Sequence, residues 1–207
     1  MGLPITIKTN FSKFWLKKCD SQPGGQASAA RTQAKTKISG DPQEEHRVSG
    51  FFSAGDHVRF RPMTIDDLDE VMAIERSAFN FPWSSGFFRQ ELQVACARSI
   101  LAEIDGKIVG YVLFWVLPGA IDIHNIAVHQ DYRRRGIARE LLGLVTDEAR
   151  RQSLSRVLLE VRISNIPAQK LYHAMGFLAT GIRKRYYSDN EDAVAMTLEI
   201  NPIVART

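Results

Sequence analysis

From residue 57 onward, apolar and polar positions follow two rhythms, and each change of rhythm marks an element. HVRFRPM (57–63) alternates and predicts a strand. TIDDLDEVMAIERSAF (64–79) puts Leu68, Val71, Met72 and Ile74 or Glu75 at helical spacing. Thr64 stands three residues before Asp67, a carboxylate form of the capping box. FPWSSGFF breaks the pattern with Pro82 and two serines, and FFRQELQVA predicts a second, short helix. RSILAEI and KIVGYVLFWVL predict strands joined by Asp105-Gly106, a hairpin dipeptide. IDIHNIAVHQ predicts a further strand. GIARELLGLVTDEARRQ predicts a helix, with Ile137, Leu141, Leu144, Val145 and Glu148 or Ala149 on one side. RVLLEVR predicts a buried strand, PAQKLYHAMGF a helix closed by Gly176, and FLATGIRKRYY with DAVAMTLEI a last strand pair. That order predicts an α/β fold with a mixed, largely antiparallel sheet flanked by helices.

Composition adjusts the picture at the amino end. The 207 residues suit one domain, and 44% hydrophobic with 24% charged residues can bury a core. Residues 1–40 carry seven Lys and Arg against Asp20 alone, which exceeds the net +4 of the whole chain; the remainder is net acidic. Residues 20–55, rich in Ser, Gly, Gln, Ala and Lys, have no apolar period and predict a disordered linker. Before it, ITIKTNFSKFWLKK mixes aromatics with lysines and suits a short amphipathic surface stretch. MGLPIT fits the N-myristoylation pattern, and the acid-poor first 40 residues fit a transit peptide; a plain unstructured extension is the expectation adopted. The division expected is therefore 1–55 as a basic extension and 56–207 as the folded domain. No apolar run approaches the ~20 residues of a spanning helix, so no membrane partner is expected. Cys19 and Cys96 fit neither a metal spacing nor a disulfide framework, which leads us to expect free thiols in a reducing, cytoplasmic setting. His124 and His129 are five apart, on opposite faces of a regular strand, and make no metal pair; no metal is expected.

Candidate chemistry concentrates in DYRRRGIARELL (131–142). A strand runs into a short loop and a helix starts near Gly136. The first N–H groups of a helix lack intrahelical partners and favour negative charge. Gly136 and Ala138 keep side chains clear, and Arg133, Arg134, Arg135 and Arg139 add cationic donors. The parts of an anion site are present. A solvated basic helix start accounts equally well for these residues alone. They lack the Gly-Lys-Ser/Thr of a P-loop and the three glycines of a dinucleotide fingerprint. A specific nucleic-acid site is disfavoured, because the body is net acidic.

In context, Arg133-x-x-Gly136-x-Ala138 after a strand ending Asn-Ile-Ala-Val resembles the pyrophosphate loop of the GNAT N-acetyltransferase superfamily. Downstream, LEVRISNIPAQKLYHAMGF and RKRYYSDNEDAVAM resemble its RimI-type branch, the ribosomal-protein N-terminal alanine acetyltransferases, as does FPWSSGFF upstream. The resemblance covers roughly residues 57–200. It implies the GNAT fold and acetyl-CoA as co-substrate, held by Arg133, Arg134, Arg135, Gly136, Ile137, Ala138 and Arg139. The backbone of Ile126, Ala127 and Val128 would pair with the pantetheine arm, and Asn165 would hydrogen-bond it. It implies Glu160 as general base and Tyr172 as proton donor to the departing thiolate. Pro82, Trp83, Tyr186 and Tyr187 would close over the substrate's first residues. The implied partner is a protein amino terminus, the eighteenth protein of the small ribosomal subunit, whose basic start would suit Glu191 and Asp192.

The residues themselves leave alternatives. Glu160 could pair with Arg162, which shares its strand face. Tyr172 could be a core tyrosine on the face of Ala168, Leu171 and Met175. Asn165 could simply cap its helix. An N-terminal substrate asks for only a modest base: an α-amino group has a pKa of about 8, a lysine about 10.4. The rivals are a lysine, polyamine or small-molecule acetyltransferase of the same fold, and a non-catalytic acyl-CoA sensor or ribosome-docking module. His124 stands where the family more usually has an apolar or aromatic residue, which bears on the substrate side.

Overall fold

A computed structural model describes residues 58–200 and the backbone of Ile7–Lys8. The expected linker at 20–55 lies outside the described residues. So does the amphipathic stretch, apart from Ile7–Lys8, which form a short strand, β1.

The remaining strands are β2 (Val58–Pro62), β3 (Ala97–Ile104), β4 (Lys107–Leu117), β5 (Ala120–Val128), β6 (Arg156–Arg162), β7 (Leu178–Arg183) and β8 (Ala193–Glu199). The helices are α1 (Leu68–Ala78), α2 (Ser85–Glu91), α3 (Ile137–Arg151) and α4 (Ile166–Ala174). The sheet runs β2-β3-β4-β5-β6-β8-β7, with β1 beside β5. Among the described residues only β5 and β6 pair in parallel, as α3 crosses between them. The expected α/β fold with a mostly antiparallel sheet is therefore present.

Local chemistry explains the element ends. Asp105 and Gly106 both take positive φ (50° and 75°), the tight turn expected between β3 and β4. The Asp67 carboxylate accepts the Thr64 N–H at 2.6 Å, while Arg61 clamps that carboxylate to Glu103. Residues 65–67 form a 3-10 turn, so α1 proper starts at Leu68. Ser84 caps α2, accepting the Phe87 N–H. This helix starts two residues before FFRQELQVA and ends at Glu91, because the cap fixes its start outside the apolar run. Gly176, with φ 93°, follows the end of α4 as expected.

Two apolar layers cover the sheet. Ile121, Ile123, Ile126 and Val128 of β5 pack with Ile137, Leu141 and Val145 of α3 and Ala168 and Tyr172 of α4. Tyr111, Leu113 and Ala127 pack with Val71 and Ile74 of α1 and Phe88 of α2. Simple alternation does not put Ile123 and Ile126 on one face. A bulge does: Phe114 opposes Ile123 and Leu113 opposes Asn125, leaving His124 as the extra residue. The regular alternation assumed between His124 and His129 is broken here, and His129 lies beyond the strand.

Cys96, in the turn before β3, is disulfide-bonded. The expectation of a free thiol fails at Cys96. Cysteine usage therefore carries no argument for a reducing compartment. The other cysteine, Cys19, lies outside the described residues.

Candidate active site

β5 and β6 pair only from Ala120 with Arg156 to Ile123 with Leu159. Past that point the strands no longer bond each other, and the β5 edge at Asn125 and Ile126 pairs with Lys8 and Ile7. This opening, which the sequence did not disclose, gathers most of the singled-out residues.

At its cofactor-expected end, β5 passes through Gln130–Tyr132 into the arginine loop. Arg134 and Gly136 both take positive φ, 66° and 85°, and Gly136 is the residue before α3. Glycine fits that left-handed position without strain, and the turns aim successive N–H groups to one side. Arg139 and Glu140 N–H groups bond the Gly136 carbonyl; among the described residues no loop contact engages those of Ile137 and Ala138. The first turn of α3 sits close because β4 has Gly110 there: a Cβ would meet the Ala127 carbonyl at 3.0 Å and Ile137 at 3.3 Å. Arg133 turns inward. Its Nε donates to the Val128 carbonyl at 3.3 Å, and its buried Nη2 has no hydrogen-bond partner among the described residues. Burial holds its pKa below the ordinary arginine value. Arg134 and Arg135 are exposed, with Arg135 4.9 Å from the Tyr132 ring centre. Arg139 lies apart, lining a groove with Gly143, Arg150 and Met175 on the flank of α3. A glycine-opened helix start beside an inward-turned guanidinium whose buried Nη2 lacks an acceptor among the described residues fits a diphosphate.

The other end is built from carboxylates and phenols. Glu160 is 8% exposed and pairs with Arg183 at 2.8 Å. The alternative pairing with Arg162 is overturned: β7 brings Arg183 to Glu160, while Arg162 bonds Asp189 and Glu191 and stacks 3.9 Å from the Tyr187 ring centre. Burial first, then the nearby Asp122 charge, raise the Glu160 pKa; Arg183, His124 and a hydrogen bond with Tyr186 oppose the rise. Tyr172 is fully buried, its ring centre 5.9 Å from that of Phe177, and its hydroxyl has no hydrogen-bond partner among the described residues. Burial keeps it firmly protonated. Tyr187 is an electrostatic neighbour of Tyr172, and its hydroxyl donates to the backbone carbonyl of Glu160 at 3.5 Å. Asn165 caps α4, accepting the Ala168 N–H at 3.2 Å.

Glu191 and Asp192 do not face outward as free acids. Arg162 holds the first and Lys184 the second. Hairpin geometry, invisible in the sequence, supplies those partners. Pro82 is exposed, whereas Trp83 is buried against Phe87 and Phe88. Several contributors carry no assignment from sequence reasoning. Asp122 and His124 lie 3.8 Å apart on β5, with His124 4.7 Å from the Trp115 ring. Trp115 donates to buried Glu91 at 2.8 Å. The signal for Glu75 was present, a carboxylate at a helix position whose phase is apolar.

Against this geometry stand the known proteins. Residues 68–177 match the model of the acetyltransferase (GNAT) family. The chain belongs to the GNAT acetyltransferase family. This GNAT chain is an acetyl-CoA-dependent N-acetyltransferase. It is 38% identical over 143 residues to a Bacillus subtilis (strain 168) protein provisionally named ribosomal protein bS18-alanine N-acetyltransferase, covering 68% of this chain and 95% of that protein. It is 35% identical over 138 residues to the ribosomal protein bS18-alanine N-acetyltransferase of Escherichia coli (strain K12), covering 65% and 93%. The crystal structure of the ribosomal-protein-S18-alanine N-acetyltransferase from Escherichia coli superposes with a TM-score of 0.66 at 32% identity, over 72% of this chain and 98% of that one. The GNAT architecture and the RimI-like character implied by the motifs are thus established. Among the described residues no helix is long and apolar enough to cross a membrane.

Proposed function

We propose that this enzyme acetylates the α-amino group of a protein, with an amino-terminal alanine of ribosomal protein bS18 as its target, in the cytoplasm. The observation that carries the proposal is that one fold holds a buried, proton-affine Glu160 on β6 and, on α4, a buried Tyr172 hydroxyl with no hydrogen-bond partner among the described residues. The names of the bacterial relatives support the α-amine and the ribosomal target. Residues 56–207 form the catalytic domain in this account.

Glu160 takes a proton from the incoming ammonium, and the freed nitrogen attacks the thioester carbonyl. A pKa above the ordinary glutamate value brings the base nearer to an α-amine of about 8. The backbone of Ile126, Ala127 and Val128 pairs with the pantetheine arm, and one N–H there holds the thioester oxygen as negative charge grows on it. As the new C–N bond forms and the C–S bond breaks, Tyr172 gives its proton to the departing sulfur, and the second proton shed by the nitrogen restores the phenol, while Glu160 returns its proton to solvent. Arg133, Arg134, Arg135 and the N–H groups of Gly136, Ile137 and Ala138 hold the co-substrate's diphosphate. Asn165, besides capping α4, bonds the pantetheine arm. Arg139 contributes long-range charge only, given its place on the flank. The Pro82–Trp83 loop, Tyr186 and Tyr187 frame the first residues of the peptide. The pantetheine arm uses the β5 edge that Ile7–Lys8 pair with, so β1 must leave for it to enter.

The test uses acetyl-CoA with a short basic peptide beginning with Ala, read by mass spectrometry and thiol release. A twin peptide has a blocked amino end and an internal lysine. Acetylation of the first alone is expected. Acetylation of the twin alone would replace the proposal with a side-chain acetyltransferase, and cofactor binding with no product on any amine would replace it with a sensor.

A further inference from the structure

Glu75 is fully buried on α1, the helix before the Pro82–Trp83 loop. One carboxylate oxygen accepts the backbone N–H of Trp83 at 2.7 Å. The other accepts from the Tyr111 hydroxyl on β4 and from Nδ2 of Asn125 on β5 at 3.2 Å. A carboxylate only accepts, so this contact also decides which way the Asn125 amide faces: its N–H2 must turn to Glu75. Its Oδ1 is buried without a partner. Asn125 belongs to the β5 bulge and immediately precedes Ile126, where the pairing to β6 has already ended.

Three neutral donors from three separate segments therefore meet on one side chain. A glutamate in an apolar layer is costly to desolvate, and an apolar residue at this phase would pack there more cheaply. Apolar packing is indifferent to small sliding motions, whereas three directional bonds are not. The bonds fix the height of the loop over β5, at the strand residues next to the proposed reaction centre.

We infer that Glu75 is a positioning residue for the acceptor, tying the Pro82–Trp83 loop to the bulge of β5. The inference rests on the proposed acceptor side lying along this loop. It concerns where the amine is held and leaves the cofactor loop, on the other side of β5, untouched.

The experiment compares wild type, Glu75→Gln and Tyr111→Phe. Amide hydrogen exchange is read over residues 79–88 and over β6, and the KM of the accepted amine is read beside that of acetyl-CoA. Glu75→Gln keeps the shape but turns one acceptor into a donor facing donors. We expect exchange over 79–88 to rise about tenfold with β6 unchanged, and the acceptor KM to rise about tenfold with the acetyl-CoA KM within about twofold. Tyr111→Phe removes one donor and should give the same pattern at about threefold. Uniform faster exchange, an unchanged acceptor KM, or equal rises in both KM values would overturn the inference. If Glu75→Gln does not fold, the Tyr111→Phe split decides. Should the wild type prefer a lysine or polyamine, the proposed substrate falls while this test proceeds with that amine. Should it acetylate nothing, the exchange pattern alone decides.

Discussion

At the carboxyl end of β5, facing α3, positive charge stands at the surface and the binding groups are backbone. Arg134 and Arg135 are exposed, and Gly136 opens the helix start. On the opposite face, toward α1 and α2, negative charge is buried: Glu75, Glu91, Asp122 and Glu160 are each under a tenth exposed. The first side needs affinity for an anion that arrives solvated, and helix N–H groups with mostly exposed arginines provide it, Arg133 alone being partly desolvated. The second needs a carboxylate whose proton affinity differs from its value in water, which only burial and neighbouring charges supply. A binding site can be made of main chain and surface charge, whereas a base must be made of environment.

Breaking the proposed proton-transfer machinery should have a larger effect than breaking the anion site. Tyr172→Phe removes a hydroxyl that has no structural hydrogen bond to lose. It should lower kcat roughly a hundredfold with little change in thermal midpoint, read by steady-state kinetics and calorimetry. On the basic side, Gly136→Val places a Cβ in a left-handed conformation at the helix start. Strain and lost backbone approach should weaken acetyl-CoA binding about tenfold by titration calorimetry, with kcat at saturation little changed. The smallest change sharpens the comparison without removing a catalytic group. Arg183 holds the Glu160 pKa down and Asp122 pushes it up. Glu160 must be ionised to act, so Arg183→Ala should move the acid limb of kcat against pH upward and Asp122→Asn should move it downward. Limbs that stay fixed in both variants would assign that titration to another group.

The same contrast explains what was legible beforehand. The arginine loop reads directly from the chain because its parts are contiguous: Arg133, Gly136 and Ala138 act as neighbours in sequence. β4 and β6 also run over the residues expected, since apolar runs bounded by turns leave little choice. Residues whose partners lie far along the chain were not legible. Glu160 takes Arg183, Arg162 takes Asp189 and Glu191, and Glu75 takes Tyr111 and Asn125. The bulge at His124 was equally hidden, because an extra residue shows only when the opposing strand is in place. So was the opening between β5 and β6, a property of pairing rather than of either strand.

The central claim is that Glu160, in its buried setting, takes the proton from the attacking amine. The most direct measurement is kcat for wild type and Glu160→Gln on the Ala-starting peptide, from pH 6.5 to 9.5. At pH 7 the variant should be about a hundredfold slower. The deficit should shrink as the pH passes the amine's own value near 8, where the nucleophile is already neutral. Equal rates for the two enzymes at pH 7 would contradict the account.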